Sequence, residues 1–117
     1  MTPALLALTL ALGALGAVIR YGISLWLSAR PWWALGVVNA IGSAVAGIVA
    51  GLPAGDLSTP IAVGFAGALS TFSTLALLTH DRTERTILAT MVPRVALHVG
   101  LSVAACAAGL GLARLLL

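Results

Sequence analysis

Apolar residues dominate the chain in four long runs that are separated by short polar segments. Each run is continuous rather than alternating, which is typical of membrane helices and not of barrel strands. Because a spanning helix needs about 20 residues, the pattern predicts four transmembrane helices in a single domain. Their expected bounds are residues 2–27, 33–52, 60–79 and 87–115. The predicted fold class is an all-α membrane protein.

The third apolar run has an unusually polar centre. Gly64 and Gly67 precede four hydroxyl residues, namely Ser70, Thr71, Ser73 and Thr74. Hydroxyl side chains compete for backbone hydrogen bonds and favour non-helical local structure. One interpretation is a helix broken at mid-depth, with freed carbonyls and hydroxyls that serve an ion. The other is ordinary hydrogen bonding between helices by serine and threonine, and this stretch alone does not decide between them.

Composition places the chain in a bilayer. Of its 117 residues, 61% are hydrophobic and 8% are charged, whereas soluble domains carry roughly 25% charged residues. The net charge of +3 comes from arginine without lysine, and it leaves no basic surface for nucleic acid. The single cysteine, Cys106, excludes an internal disulfide and a cysteine-cluster metal site. We expect an oligomer, since four short helices cannot easily enclose a polar pathway.

The arginines predict an orientation in the cell membrane. The N-terminus, the loop between helices 2 and 3 and the C-terminus share one side, which carries only Arg114. The opposite side, or the helix ends nearest to it, carries five: Arg20, Arg30, Arg82, Arg85 and Arg94. The positive-inside rule therefore places both termini outside the cytoplasm.

The carboxylates argue against cation coupling. Asp56, Asp81 and Glu84 all lie in predicted loops, whereas proton-coupled transporters usually need a carboxylate within the membrane. A small four-helix multidrug transporter is therefore the weaker alternative. No nucleophile–base pair, phosphate loop or metal-ligand set is present, so we do not expect an enzyme.

The polar groups that do lie within the spans suit an anion. An amide, hydroxyls, a histidine and aromatic ring edges all present partial positive charge. Asn39 lies in helix 2, and helix 4 carries His98, Ser102 and Cys106 at intervals of four residues. Arg20 has two open interpretations, an anchor that snorkels to the interface or a cation at the mouth of an anion path.

Three motifs make the chain resemble a known family. Residues 13–21 resemble the pattern GxxGAxxRY, residues 39–47 resemble NxxGSxxxG, and residues 64–74 resemble GFxGxxTTFST. In this order the motifs are similar to those of the CrcB/Fluc family of fluoride channels. The third motif is specific, whereas the first two alone would be weak evidence.

The resemblance implies an antiparallel dual-topology dimer with two pores along the subunit interface and a structural sodium ion at its centre. By the same resemblance, backbone carbonyls of Gly67 and Ser70 hold the sodium, and Arg20 lies in a vestibule. The implied pore residues are Asn39, Phe72, Thr74, His98, Ser102 and Cys106. The implied function is passive export of fluoride from the cytoplasm.

The chain departs from the family pattern at informative positions. Leu75 replaces a second phenylalanine, His98 stands where tyrosine is common, and Cys106 replaces a small polar residue. A dual-topology homodimer needs a loop charge bias near zero, but the arginine count here is five against one. We therefore hypothesise one subunit of a heterodimer, paired with a homologue of opposite topology. A non-conducting structural partner is a further alternative.

Overall fold

Helices form most of the chain in the computed structural model, which describes residues 1–70 and 87–117. Helix α1 is Pro3–Trp26 and α2 is Pro31–Gly51. A π-helical segment, Pro60–Ala66, continues into the short helix α3, Gly67–Leu69. After the undescribed residues, a π-helical turn at Ile87–Met91 leads into α4, Val92–Leu116. The described residues contain no strand, so the predicted all-α fold class is confirmed.

Proline marks the start of each long helix. Pro3, Pro31 and Pro93 lie in the first turns of α1, α2 and α4, where the missing N–H costs nothing. In α1 the Thr2 side chain also accepts a hydrogen bond from the Leu5 N–H at 3.3 Å. Three helices, Pro3–Trp26, Pro31–Gly51 and Ala89–Leu116, are long and apolar enough to cross a membrane, and Pro60–Leu69 is a shorter apolar helix. The protein is therefore a multi-pass membrane protein.

The third helix is broken where the hydroxyl residues begin. Regular helix ends at Leu69, and Ser70 has extended backbone angles, φ −75° and ψ 150°. The Ser70 N–H still donates to the Ala66 carbonyl at 3.0 Å, so this residue closes the last helical bond while its own backbone is already extended. The predicted break is confirmed in position. The predicted remainder of this helix, including Phe72, Thr74 and Leu75, lies outside the described residues.

The helices pack as two close pairs joined through the third helix. Helix α2 packs against α4, while α1 packs against the π-helical segment and α3, which also contact α2. The core between them contains Leu35, Val38, Ala66, Leu69 and Met91, all buried. Many other large apolar side chains are exposed on the single subunit, as expected for surfaces that face lipid or a partner.

Two glycines of α1 offer a direct test of this packing. A β-carbon on Gly16 would lie 2.6 Å from the Phe65 carbonyl oxygen, whereas a β-carbon on Gly22 would meet none of the described residues within 4 Å. We expect Gly16→Ala to lower the free energy of unfolding by about 1–3 kcal/mol, because the backbone of the third helix must shift. Gly22→Ala is the matched control and should be neutral or slightly stabilising, since alanine favours helix. Equilibrium unfolding in detergent measures both, and equal effects would contradict the packing.

Candidate functional site

The three sequence motifs meet at the break in the third helix. On one side Gly16 of α1 lies against the Phe65 carbonyl and the Leu69 N–H. On the other side a β-carbon on Gly42 of α2 would lie 3.0 Å from both the Ala66 carbonyl oxygen and the Ser70 Cβ. Neither position has room for a side chain without movement of the neighbouring backbone. The glycines of the first two motifs therefore let α1 and α2 close around the third motif.

The end of α3 offers oxygen ligands of the kind that an alkali cation takes. The last carbonyls of a helix carry partial negative charge and have no intrahelical partner. Gly67 is exposed on the subunit surface, whereas Ser70 is half-buried. The described residues contain no group of three His, Cys, Asp or Glu side chains that could hold a metal. Backbone carbonyls are hard oxygen donors of the kind that sodium takes, and the sodium site at Gly67 and Ser70 stays a prediction.

The polar residues of α4 lie on the side that packs against α2. His98, Ser102 and Cys106 are all half-buried, whereas Val99 and Val103 are exposed. A β-carbon on Gly47 would overlap the Cys106 carbonyl, and one on Gly109 would overlap the Ala44 carbonyl. Gly47 and Gly109 therefore allow α2 and α4 to pack closely. Cys106 is a free thiol within this interface.

His98 links α4 to the first turn of α2. Its Nε2 lies 2.9 Å from the Trp32 carbonyl oxygen and its Nδ1 lies 2.8 Å from the Arg94 carbonyl oxygen. Both partners are acceptors, so a neutral imidazole donates to one of them, and an imidazolium donates to both. The His98 ring also meets the Trp32 ring edge-on at 5.5 Å, and the Arg94 guanidinium lies 5.4 Å from the Trp32 ring centre.

Replacing His98 tests this link. We expect His98→Phe to lower the free energy of unfolding by about 1–3 kcal/mol, because up to two hydrogen bonds to carbonyls are lost while the ring contact is kept. Val103→Phe is the control, since Val103 is exposed on the same helix and should change stability little. Equilibrium unfolding in detergent gives both values. An unaltered stability of the His98 variant would show that these carbonyl contacts contribute nothing.

A cavity of about 670 Å³ opens beside this cluster, between the start of α2 and the start of α4. Arg30, Arg94 and His98 line it together with Trp32 and Trp33. Trp32, Trp33 and Arg94 were not among the predicted site residues. The orientation of the helices could have indicated this cluster, because α2 and α4 both begin on the same side of the membrane.

The other predicted site residues are distributed along the helices. Arg20 is half-buried, six residues before the end of α1, and its carbonyl accepts a hydrogen bond from the Ser24 hydroxyl at 2.9 Å. Asn39 is half-buried in α2, one turn before Gly42. Phe72 and Thr74 lie outside the described residues. The roles assigned to these residues in a pore stay predictions.

Comparison with known proteins gives a consistent result. Residues 7–110 match the family model described as CrcB-like protein, Camphor Resistance (CrcB). A protein of Rhodospirillum centenum named fluoride-specific ion channel FluC is 38% identical over 112 residues, covering 87% of this chain and 89% of its own. A protein of the same name in Nitrobacter winogradskyi is 37% identical over 114 residues, covering 89% of this chain and 90% of its own. Fluoride-specific ion channel FluC 1 of Symbiobacterium thermophilum is 33% identical over 111 residues, covering 86% of this chain and 90% of its own.

No solved structure matches this one. The family model nevertheless covers most of the chain, and the relatives match over nearly their whole length. All three sequence motifs fall within the matched residues, and the structure brings glycines of two motifs into contact with the third. This chain therefore belongs to the CrcB family.

Proposed function

We propose that this chain is a subunit of a fluoride-selective ion channel that lets fluoride leave the cytoplasm passively. The observation that carries the proposal is the helix break at Ser70, closed on both sides by Gly16 and Gly42. In a helix that only spans lipid, an end within the apolar run would be unfavourable, because backbone carbonyls without hydrogen bonds cost free energy in hydrocarbon. Membership of the CrcB family and the names of the relatives supply the identity of the ion.

Selectivity would come from groups that replace the hydration shell of fluoride. Fluoride binds water tightly, so an entering ion needs several close donors and no competing carboxylate. The Asn39 amide, the hydroxyls of Thr74 and Ser102 and the ring edge of Phe72 are donors or carry partial positive charge. Asp56 is the only carboxylate side chain in the described part of the chain, and it follows α2 in a loop. These groups can attract an anion without holding it as firmly as a fixed cation would.

The conducting unit would be an antiparallel dimer. The carbonyls of Gly67 and Ser70 from each subunit would together hold a sodium ion at its centre. When bound, sodium would supply a positive charge that ties the two helix breaks together. Arg20, near the end of α1, would lie in a vestibule where its charge raises the local concentration of anions. The partner would be a homologous subunit of opposite topology, because the five-to-one arginine bias fixes the orientation of this chain.

Direction would follow from the chemistry of hydrogen fluoride. The neutral acid crosses membranes in acidic surroundings and ionises inside the cell, where fluoride accumulates. A passive channel in the cell membrane then lets the ion flow down its gradient. No coupling carboxylate is needed for such a path, which agrees with the prediction from sequence that all three carboxylates lie in loops. With the termini outside the cytoplasm, the arginine-rich end of the helices would face the fluoride source.

Fluoride efflux from liposomes tests the proposal. Liposomes that contain the assembled channel should release fluoride, which a fluoride electrode measures, and they should retain chloride. Phe72→Ile should abolish most of the release, whereas Phe65→Ile, at the other phenylalanine of the chain, should retain it. An unaltered rate in the Phe72 variant would instead indicate a non-conducting structural subunit. Proton-driven transport of organic cations without fluoride release would indicate a multidrug-type transporter.

A further inference from the structure

The cavity between the first turns of α2 and α4 combines two kinds of surface. At its rim, Arg30 and Arg94 provide fixed positive charge, and none of the described residues that line it is acidic. Deeper along the helices its walls are apolar and include Val37, Ala40 and Leu101. A charged rim above an apolar groove is complementary to a molecule with an anionic head and a hydrocarbon tail.

The depth of the cavity agrees with a lipid headgroup. Gly42 of α2 lies beside the helix break, and Trp32 lies ten residues earlier on the same helix. At 1.5 Å per residue this separation is about 15 Å, which is half of a hydrocarbon core of about 30 Å. If the break marks mid-depth, Trp32 and Trp33 lie at the membrane interface, where tryptophan is enriched. The arginines at the rim are then level with lipid phosphates.

The Arg94 side chain is positioned rather than free. Its guanidinium lies over the Trp32 ring at 5.4 Å, and the Trp32 backbone carbonyl accepts a hydrogen bond from His98 Nε2 at 2.9 Å. A stacked arginine keeps its planar N–H groups available for bidentate contact with a phosphate. Helix α2 also begins here without a side-chain cap, so its positive dipole end points toward the same rim.

We infer that this cavity binds an anionic phospholipid, with Arg30 and Arg94 on the phosphate and the acyl chain along Val37, Ala40 and Leu101. Basic pockets between transmembrane helices on the cytoplasmic side are suited to such headgroups. The arginine-rich end of this chain is the end that the positive-inside rule assigns to the cytoplasm. The lipid site does not depend on which ion the chain conducts.

Tryptophan quenching by brominated lipid tests the site. A Trp26→Phe background removes the one tryptophan outside the cavity, which is 82% exposed at the end of α1. The full chain is then placed in phosphatidylcholine vesicles that contain brominated phosphatidylglycerol or, separately, brominated phosphatidylcholine. Because the bromine is on the acyl chain, quenching reports a bound lipid next to Trp32 and Trp33. We expect a clear preference for the anionic lipid.

Charge variants show whether the preference arises in this cavity. Arg30→Gln and Arg94→Gln should each lower the relative affinity for phosphatidylglycerol about fivefold, and Arg94→Lys should retain part of it. Arg114→Gln is the matched control at the far end of α4 and should have no effect. Soluble glycerol phosphate should not displace the lipid.

Three outcomes would overturn the site. The first is equal quenching by the anionic and the zwitterionic lipid. The second is an anionic preference that survives both the Arg30 and the Arg94 replacement. The third is a pair of tryptophans that neither lipid quenches, which would place a second subunit over the cavity.

Discussion

Reconstituted alone, this chain is expected to release fluoride from liposomes no faster than protein-free liposomes do. Co-expression with a homologue of opposite topology is expected to restore rapid release. The reason is the arginine count of five against one, which fixes one orientation, whereas an antiparallel dimer needs both. The measurement is fluoride-electrode efflux from liposomes, with the chain purified by itself and together with the homologue.

A charge variant provides the control for this prediction. Arg82→Gln and Arg85→Gln, combined with Gly55→Arg and Ser58→Arg in the loop after α2, change the arginine count to three on each side. This variant should insert in both orientations and conduct without a partner. Rapid release by the unaltered chain alone would contradict the heterodimer. Failure of both the variant and the co-expressed pair would contradict the dimer arrangement itself.

Replacing Gly47 or Gly109 by alanine is expected to cause the largest loss of stability. At these positions a β-carbon would overlap the Cys106 carbonyl and the Ala44 carbonyl, respectively. Backbone cannot rotate away as a side chain can, so α2 and α4 must separate. We expect each replacement to lower the free energy of unfolding by about 3 kcal/mol, the upper end of the usual range for overpacking. Equilibrium unfolding in detergent measures the change.

The same helix offers matched controls. Within residues 1–70 and 87–117, a β-carbon on Gly100 or Gly111 of α4 would meet nothing within 4 Å. Alanine at these positions should leave stability unchanged or raise it by up to about 1 kcal/mol, because glycine is a poor helix former. If Gly109→Ala were as harmless as Gly111→Ala, the close packing of α4 on α2 would be wrong.

Much of the fold could be predicted because a bilayer restricts the choices. Spanning segments of this kind must be helical and apolar, so each long apolar run predicts one helix. The hydroxyl residues from Ser70 onward left a broken helix and ordinary hydrogen bonding between helices both open, and the resemblance to the CrcB/Fluc family favoured the break. The π-helical form of Pro60–Ala66 was not predicted, since no residue in it differs in type from those of an ordinary helix.

Glycine spacing alone does not show which glycines of a helix contact a neighbouring helix. Gly13, Gly16 and Gly22 all lie on the first helix, but a β-carbon on Gly22 would meet nothing within 4 Å in the described part of the chain, whereas one on Gly13 or Gly16 would contact the third helix. The described part of the third helix runs beside Gly13 and Gly16, and spacing in one helix does not reveal which of its glycines a neighbour will contact. The bond from His98 to the Trp32 carbonyl was missed for a related reason. It joins residues far apart in sequence. Every residue has a backbone carbonyl, so residue type does not indicate which carbonyl accepts a bond.

The fluoride-channel assignment is tested most directly by the reversal potential of the assembled protein in a planar bilayer. With a fluoride gradient, and chloride at equal concentration on both sides, the current should reverse at the fluoride equilibrium potential. That potential shifts by about 59 mV for each tenfold change in the gradient. A reversal potential that does not change with the fluoride gradient, or no current at all from the co-expressed pair, would contradict a fluoride channel.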